Sequence, residues 1–172
     1  MTTKELKQSE FNTYYSQYID KLSNIINLIE GFKDGKDNVL QFFQSIPSEK
    51  LNYRYAEDKW SIKEIFQHLI DTERIFMHRC FRIARHDETA LAGYDQNIYI
   101  EPSQANNKSI ESLIEEFKAV RQNSIILLQS LRLADLEFIG NANDSNMSAR
   151  AAAFTVIGHY IWHIDVIKER YL

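Results

Sequence analysis

Four segments of the sequence repeat apolar residues at helical spacing, and this periodicity constrains the fold most. The stripes predict helices near residues 24–46, 61–86, 109–132 and 149–171. Ser61 is a suitable N-cap for the second helix, with Glu64 at the capping-box position. Neither sustained alternation nor an Asn-Gly or Asp-Gly hairpin signal occurs, so strands are not expected. We therefore predict an all-α fold, a four-helix bundle.

The connections refine this prediction. A short leading helix that carries Tyr14, Tyr15 and Tyr18 is expected before the first long helix. Between the second and third helices lie about 23 residues, from His86 to Lys108. Loops of more than roughly 12–15 residues are uncommon in compact domains and tend to be functional. The segment is either such a loop or a plain crossover, and its length allows an up-down-down-up arrangement.

Length and composition limit the class of protein. A chain of 172 residues, 44% hydrophobic and 26% charged, is typical of one globular domain, here 1–172. The net charge of −4 is spread along the chain without a basic block, so no nucleic-acid partner is expected. No apolar run has membrane length and no signal segment is evident, which predicts no membrane partner and a cytoplasmic location. The single cysteine, Cys80, excludes an internal disulfide and a cysteine-based zinc site, and we expect it to be buried and inert.

Two histidines in the last helix indicate a metal site. His159 and His163 are four residues apart, so their Cβ atoms lie roughly 5–6 Å apart on one face, close enough to grip one divalent ion. Asp165, Lys168 and Glu169 occupy the opposite arc of the helix. The histidines therefore point into the protein, where titratable rings are uncommon.

His68 is the best candidate for a third ligand. Catalytic zinc sites commonly use three protein ligands and leave one position for water or substrate. His68 lies at the edge of the apolar stripe of the second helix, where an isolated histidine is also compatible with a simple boundary residue. His78 and His86 are expected at the surface.

Several motifs spread over nearly the whole chain resemble those of one protein family. They are Lys59-Trp60-Ser61-Ile62-Lys63-Glu64 followed by His68, then Asp71, Glu73-Arg74, Arg82-Ile83-Ala84-Arg85, Gly93-Tyr94-Asp95, and Gly158-His159-x-x-x-His163 followed by Lys168-Glu169-Arg170-Tyr171-Leu172. From about Tyr14 to Leu172 the chain resembles the DinB superfamily, in particular its branch of YfiT-type metal-dependent hydrolases and bacillithiol transferases. The resemblance implies an up-down-down-up bundle. It also implies one divalent ion, usually zinc or nickel, bound by His68, His159 and His163.

The chain departs from many relatives within the last motif. Tyr160 and Trp162 stand where those relatives have a glutamate and a further histidine. Since no carboxylate lies between His159 and His163, a peptidase of the His-Glu-x-x-His type is not expected.

Five other residues are candidates for the surroundings of the ion or a substrate pocket. Glu73 falls within the apolar stripe of its helix, where it either orients a ligand histidine or pairs with an arginine such as Arg121 or Arg170. Arg79 is a candidate for binding an anionic substrate. The other three candidates are Tyr94 and Asp95 on the long loop and Tyr160 in the last helix.

Three functions are compatible with these residues. The first is a metal-dependent transferase that moves a small electrophile onto a low-molecular-weight thiol of the bacillithiol type. The second is a hydrolase that uses the same ion to activate water. The third is a non-catalytic metal-binding stress protein. A homodimer is expected in each case.

Overall fold

The structure, a computed structural model, describes residues 1–23 and 26–172. Its α-helices are α1 (Ser16–Ile19), α2 (Leu28–Ser45), α3 (Ile62–Ala84), α4 (Asn97–Ser103), α5 (Ile110–Ser130), α6 (Leu133–Glu137) and α7 (Ala149–Arg170). Two short strands, β1 (Ile139–Ala142) and β2 (Ser145–Ser148), precede α7. Single turns of 3-10 helix lie at Thr3–Glu5, Gln8–Glu10, Thr13–Tyr15, Ser48–Lys50 and Ala105–Asn107.

The four long predicted helices are confirmed as α2, α3, α5 and α7. Their ends agree with the prediction to within two residues, except at the start of α2. The periodicity places that start near residue 24, but Asn24 and Ile25 lie outside the described residues. The helix begins at Leu28, and the Asn27 side chain accepts hydrogen bonds from the first-turn N–H groups.

Serine caps set the starts of the other three long helices. The Ser61 hydroxyl accepts from the Glu64 N–H, and the Glu64 carboxylate accepts from the Ser61 N–H at 2.7 Å, so the predicted capping box is confirmed. Ser109 and Ser148 cap α5 and α7 in the same way. These caps fix where each helix starts, and with it the faces that the helices turn to one another.

Contacts between the long helices fix an up-down-down-up bundle. Helix α3 runs parallel to α5 and antiparallel to α7, and α7 runs parallel to α2. The contacts that show this are Gln67 with Glu116 and Glu73 with Arg121 between α3 and α5, Trp60 with Tyr171 and His68 with His159 between α3 and α7, and Gly31 with Ile157 and Phe42 with Lys168 between α2 and α7. The predicted arrangement is therefore confirmed.

The core lies between the four long helices. Helices α2 and α3 meet across its centre, where the Phe43 and Phe66 rings stack with centroids 3.9 Å apart. Phe117 of α5 packs against Phe66, with ring centroids 5.7 Å apart. Burial of these apolar rings stabilises the packing of the helices on one another.

A β-hairpin corrects the expectation that the chain has no strands. Strands β1 and β2 pair antiparallel, with Ile139 opposite Ser148 and Ala142 opposite Ser145. The turn residues, Asn143 and Asp144, have φ values of 55° and 57°. Two consecutive left-handed residues form the type of turn that suits a two-residue hairpin, and Asn and Asp tolerate this conformation better than most residues.

The segments outside the bundle pack along the length of α3, with Asn106 against Ser61 at its start and Gly140 against Ile83 at its end. The predicted leading helix is confirmed, since the turn at Thr13–Tyr15 continues into α1, which packs on α7. The long connection after α3 contains α4 and the 3-10 turn at Ala105–Asn107. Among the described residues, no helix combines the length and apolarity needed to cross a bilayer.

Candidate metal centre

Three buried histidines face one another between α3 and α7. His68 comes from α3, and His159 and His163 come from adjacent turns of α7. The Nε2 atom of His159 lies 3.0 Å from Nε2 of His68 and 3.1 Å from Nε2 of His163. The sequence spacing predicts that His159 and His163 face the same way, and the family resemblance adds His68; the structure brings all three rings together.

The spacing of the three nitrogens is compatible with a shared metal ion, because His159 lies 3.0–3.1 Å from each of the other two and all three ligand atoms lie within 4.8 Å of one another. At nitrogen–metal distances of about 2.0–2.1 Å, the ligand nitrogens around an ion lie roughly 3.0–3.4 Å apart. Mutual hydrogen bonding accounts for the arrangement less well, because Nε2 of His159 carries at most one proton but faces two other Nε2 atoms. No Cys, Asp or Glu of the described residues joins the three histidines. The donor set is therefore three imidazoles.

Burial keeps these imidazoles neutral, the form that ligates a metal. Desolvation lowers the pKa of His68 from 6.5 to about 4. Desolvation, followed by repulsion from the neighbouring imidazoles, lowers the pKa of His159 well below 6.5. The pKa of His163 falls for the same reasons, burial first. Near neutral pH each ring therefore offers a lone pair.

Neighbouring side chains orient the histidines. The Thr72 hydroxyl lies one helical turn beyond His68 and 3.4 Å from its Nδ1, so it can accept the Nδ1 proton and leave Nε2 free for the ion. The Trp60 ring packs on His68 and the Tyr18 ring packs edge-on against His159, with centroids 4.8 and 5.1 Å apart. No local sequence signal points to a site role for Tyr18, because it reaches His159 only through the tertiary fold. The i, i+4 spacing of Thr72 from His68 was a usable signal.

A glycine allows this close packing of Tyr18. Gly158 precedes His159, and a Cβ atom at Gly158 would overlap the backbone carbonyl oxygen of Tyr18. The absence of a side chain lets the backbone that follows the first 3-10 turns settle directly on α7. As a result the Tyr18 ring reaches the edge of the histidine cluster.

Two of the histidines, His68 and His159, lie in the wall of a pocket of about 390 Å³. Its lining contains polar, aromatic and one cationic side chain but no carboxylate: Asn12, Tyr14, Tyr15, Tyr18, His68, Thr72, Phe76, Arg79, Tyr94, Gln96, Asn143, Ser145, Thr155 and His159. Burial raises the pKa of Tyr18 and of Tyr94, so both hydroxyls stay protonated near neutral pH. The volume suits a small-molecule ligand.

Two of the five further candidates line this pocket. The Tyr94 hydroxyl lies 3.4 Å from the Thr72 hydroxyl, which places the long loop beside the histidines. Arg79 is 2% exposed, and its guanidinium donates to the Ala92 carbonyl oxygen at 3.1 Å and to the Tyr15 hydroxyl at 3.5 Å. Both residues are therefore placed to meet a ligand.

The other three candidates lie elsewhere. Glu73 is bound by the guanidinium of Arg121, with nitrogen–oxygen distances of 2.8–3.0 Å, and by the hydroxyl of Ser124 at 2.7 Å. The sequence is compatible with either an ion pair with an arginine or a role in orienting a ligand histidine, and in the structure Glu73 forms the ion pair with Arg121. Asp95 is exposed and accepts hydrogen bonds from Asn97 at the start of α4.

Tyr160 points away from the histidines, toward α2. It lies next to Gly35 and 5.6 Å from the Arg121 guanidinium, and it lines a different groove of about 840 Å³ between α2 and α7. The physical reason is the helical rotation of about 100° between His159 and the next residue. The assignment of Tyr160 to the metal pocket is corrected accordingly.

The remaining titratable candidates behave as structural residues. Cys80 is fully buried, and burial raises the pKa of its thiol to about 12, which leaves it unreactive. His78 is exposed. His86 is also largely exposed, and its Nε2 lies 3.0 Å from an Asp135 carboxylate oxygen.

Comparisons with known proteins agree with this geometry. The family model described as the DinB superfamily matches residues 32–167. The fold is similar to that of YfiT from Bacillus subtilis, described as a probable metal-dependent hydrolase with an unusual four-helix bundle topology; the TM-score is 0.75 at 17% sequence identity, over 96% of this chain and 91% of that chain. No curated protein matches the sequence. At this identity the likeness to YfiT shows the fold alone.

Proposed function

This chain belongs to the DinB superfamily, and we propose that it is a metal-dependent enzyme that joins a low-molecular-weight thiol to a small electrophile. One observation carries the proposal: three neutral imidazoles converge beside a small-molecule pocket that His68 and His159 line, and no fourth protein ligand joins them in the described residues. Structural zinc sites usually have four protein ligands, whereas catalytic sites keep a position open. The residues therefore favour a catalytic centre.

The three histidines would hold a divalent ion as neutral ligands, so the ion would keep its full charge. When bound, such an ion supplies Lewis acidity, lowering the pKa of coordinated water to about 7 and deprotonating a coordinated thiol. With Nε2 on the ion, the Nδ1–H of His68 would donate a hydrogen bond to the Thr72 hydroxyl, 3.4 Å away, which would orient the ring. Tyr18 and Trp60 pack on the ligand rings and exclude bulk water from their far sides. Imidazole ligands suit zinc and nickel, and we propose one of these as the metal.

The lining of the pocket favours a thiol over water as the nucleophile. In the reaction, the thiol sulfur forms a bond to the electrophilic carbon, the leaving group departs with its bonding electrons, and the thiol proton passes to solvent. This requires no protein carboxylate as general base, and none lines the pocket. Cys80 is not the thiol, because it is fully buried outside the pocket. The thiol must therefore be a diffusible cosubstrate.

Hydrolysis is the second candidate, and the fold similarity to YfiT, itself described as a probable metal-dependent hydrolase, is what favours it. It would use the same three histidines and the same pocket. The two candidates differ in one measurable respect, since only transfer depends on an added thiol.

The test begins with metal analysis of protein purified without chelators or an affinity metal. The zinc-loaded and nickel-loaded proteins are then offered an alkylating electrophile, an epoxide and an activated ester, each with and without a panel of small thiols. The proposal expects product formation that requires both metal and thiol and that is lost in His163→Ala but kept in His78→Ala. Metal-dependent ester hydrolysis that does not respond to any thiol would favour the hydrolase. Tight metal binding without turnover of any kind would favour the non-catalytic role.

A further inference from the structure

Arg79 is a buried cation without an anionic partner. It is 2% exposed, and among the described residues it forms no ion pair. A guanidinium carries five N–H donors and stays protonated in proteins, but here it makes one hydrogen bond of 3.1 Å and one long contact of 3.5 Å. The Phe76 and Tyr94 rings, 5.0 and 5.9 Å from its central carbon, offset part of the burial cost. Several donors remain available.

Arg79 shares a helix face with the metal ligand His68. The two residues are 11 positions apart on α3, which turns them to within about 20° of each other and separates their Cα atoms by roughly 16 Å along the axis. Helical side chains lean toward the N-terminus, so the Arg79 side chain extends toward Thr72 and His68. Thr72 and Phe76 lie between them on the same face, and all four line the pocket.

The pocket lining carries positive formal charge and no negative formal charge. Its lining has no carboxylate, and the pKa of Tyr94 beside Arg79 is raised, mainly by burial, so this hydroxyl supplies no negative charge. Every formal charge in the pocket, including that of an ion on the histidines, is therefore positive. The other buried arginines show the contrast, since Arg121 is paired with Glu73 and Arg150 with Glu10.

We propose that Arg79 binds an anionic group of the substrate, a carboxylate or a group of the same charge and hydrogen-bonding geometry, and so holds its reactive end toward the three histidines. The inference rests on the proposed function, because it deepens the description of the same pocket. The ligand is an elongated small molecule with an anionic end at Arg79, an apolar or aromatic body against Phe76 and the tyrosines, and the reacting centre beside His68 and His159. A planar guanidinium matches a carboxylate with two parallel hydrogen bonds.

The competing role for Arg79 is a brace that holds the long loop through the Ala92 carbonyl oxygen. If Arg79 only braces the loop, the charge of a ligand should not affect its affinity for the pocket. If Arg79 binds the substrate, an anionic ligand should bind more tightly than a neutral one. The test therefore compares phenylalkanoates of increasing chain length with the corresponding neutral phenylalkanamides. Binding is measured by protein NMR titration on metal-free protein in the presence of a chelator, so that no ion can hold the carboxylate.

We expect the best carboxylate to bind the wild-type protein more tightly than its amide, and Arg79→Gln to weaken carboxylate binding by roughly 10- to 100-fold without changing amide binding. Arg79→Lys should show an intermediate loss, because it keeps the charge but not the planar fork. Arg85→Gln is the matched control, since it removes the same charge from the end of the same helix at an exposed position. It should leave both affinities unchanged.

Equal binding of carboxylate and amide, or unchanged carboxylate binding in Arg79→Gln, would overturn the inference. If Arg79→Gln disturbs the fold, seen as a change in its circular dichroism or amide spectrum, the comparison of Arg79→Lys with wild type decides in its place. Metal affinity is measured separately by competition with a chromophoric chelator. If the protein binds no metal but still prefers the carboxylate, the proposed function is rejected and this inference stands. If it binds metal but does not prefer the carboxylate, this inference is rejected and the proposed function stands.

Discussion

Gly158 lies directly against the backbone of Tyr18, so that a single added methyl group at Gly158 would overlap the Tyr18 carbonyl oxygen. The contact joins the last helix to the N-terminal segment one residue before His159. Because the obstacle is backbone, side-chain rotation cannot relieve it. Packing at this point therefore decides whether the Tyr18 ring reaches the histidine cluster.

Gly158→Ala should lower the free energy of unfolding by about 1–3 kcal/mol, the usual cost of overpacking, and should displace Tyr18 from His159. Urea denaturation measures the first effect and zinc affinity the second. Gly31→Ala is the control, since its methyl group would meet only the side chains of Ile157 and Ile26, which can rotate. The explanation fails if both variants are equally stable and bind zinc equally well.

Glu73→Gln should destabilise the protein by about 3 kcal/mol or more, because it leaves the Arg121 guanidinium buried without a counter-charge. Metal affinity should stay the same, since Glu73 binds Arg121 and Ser124 rather than a histidine. Glu115→Gln, which breaks an exposed pair with Lys118, should cost less than about 0.5 kcal/mol. A large loss of zinc affinity in Glu73→Gln would instead give Glu73 a role in orienting the ligands.

Metal-free protein should lose stability as the pH falls from about 6.5 toward 4. Burial lowers the pKa of His68 from 6.5 to about 4, so in this window the unfolded chain binds a proton that the folded chain does not. The neutral His68 ring contributes fully to the free energy of unfolding above pH 6.5, the pKa in the unfolded chain. This contribution, on the order of 3 kcal/mol, is lost as the pH falls to about 4, the pKa in the folded protein. Urea midpoints in chelator across this range should therefore fall.

Variants identify the source of this pH dependence. His68→Gln should reduce the slope to the part that His159 and His163 contribute, whereas His78→Gln, at an exposed position on the same helix, should leave it unchanged. An unchanged slope in His68→Gln would show that other groups cause it.

Zinc should raise the thermal midpoint of the wild-type protein, because an ion that binds only the folded state stabilises it by mass action. At a free zinc concentration a hundred times the dissociation constant, this amounts to about 2.7 kcal/mol. His163→Ala should lose the shift and His78→Ala should keep it, with differential scanning fluorimetry as the measurement. A full shift in His163→Ala would place the ion elsewhere.

The features that could be predicted from the sequence are those determined by residues close together in one helix. Ser61 with Glu64, and His159 with His163, are fixed by spacing within one helix, so the capping box and the facing pair follow from helical geometry alone. His68 required a resemblance to a family, since nothing local to α3 distinguishes a ligand from a boundary histidine. The roles of Glu73 and Tyr160 depended on which helix each side chain faces, and a single-helix wheel does not contain that information.

Two features, the contact of Tyr18 with His159 and the β-hairpin, could not be predicted because no local sequence signal indicates them. The contact of Tyr18 with His159 joins residues far apart in sequence, and no periodicity encodes it. The hairpin was missed because Asn143-Asp144 lacks the glycine of the usual two-residue signals, although both residues adopt left-handed φ values. Its strands are four residues each, too short for alternation to stand out.

The separation of the histidines along the chain has a consequence for how the protein is made. His68 and His159 are 91 residues apart, and His163 follows four residues later. Translation therefore produces His68 well before the other two, and a growing chain that ends before α7 contains only one of the three histidines of the cluster. Any ion that the three histidines hold is acquired after the final helix has left the ribosome. Loading of such an ion therefore depends on the divalent metal available after synthesis of the chain, not on the metal present when synthesis began.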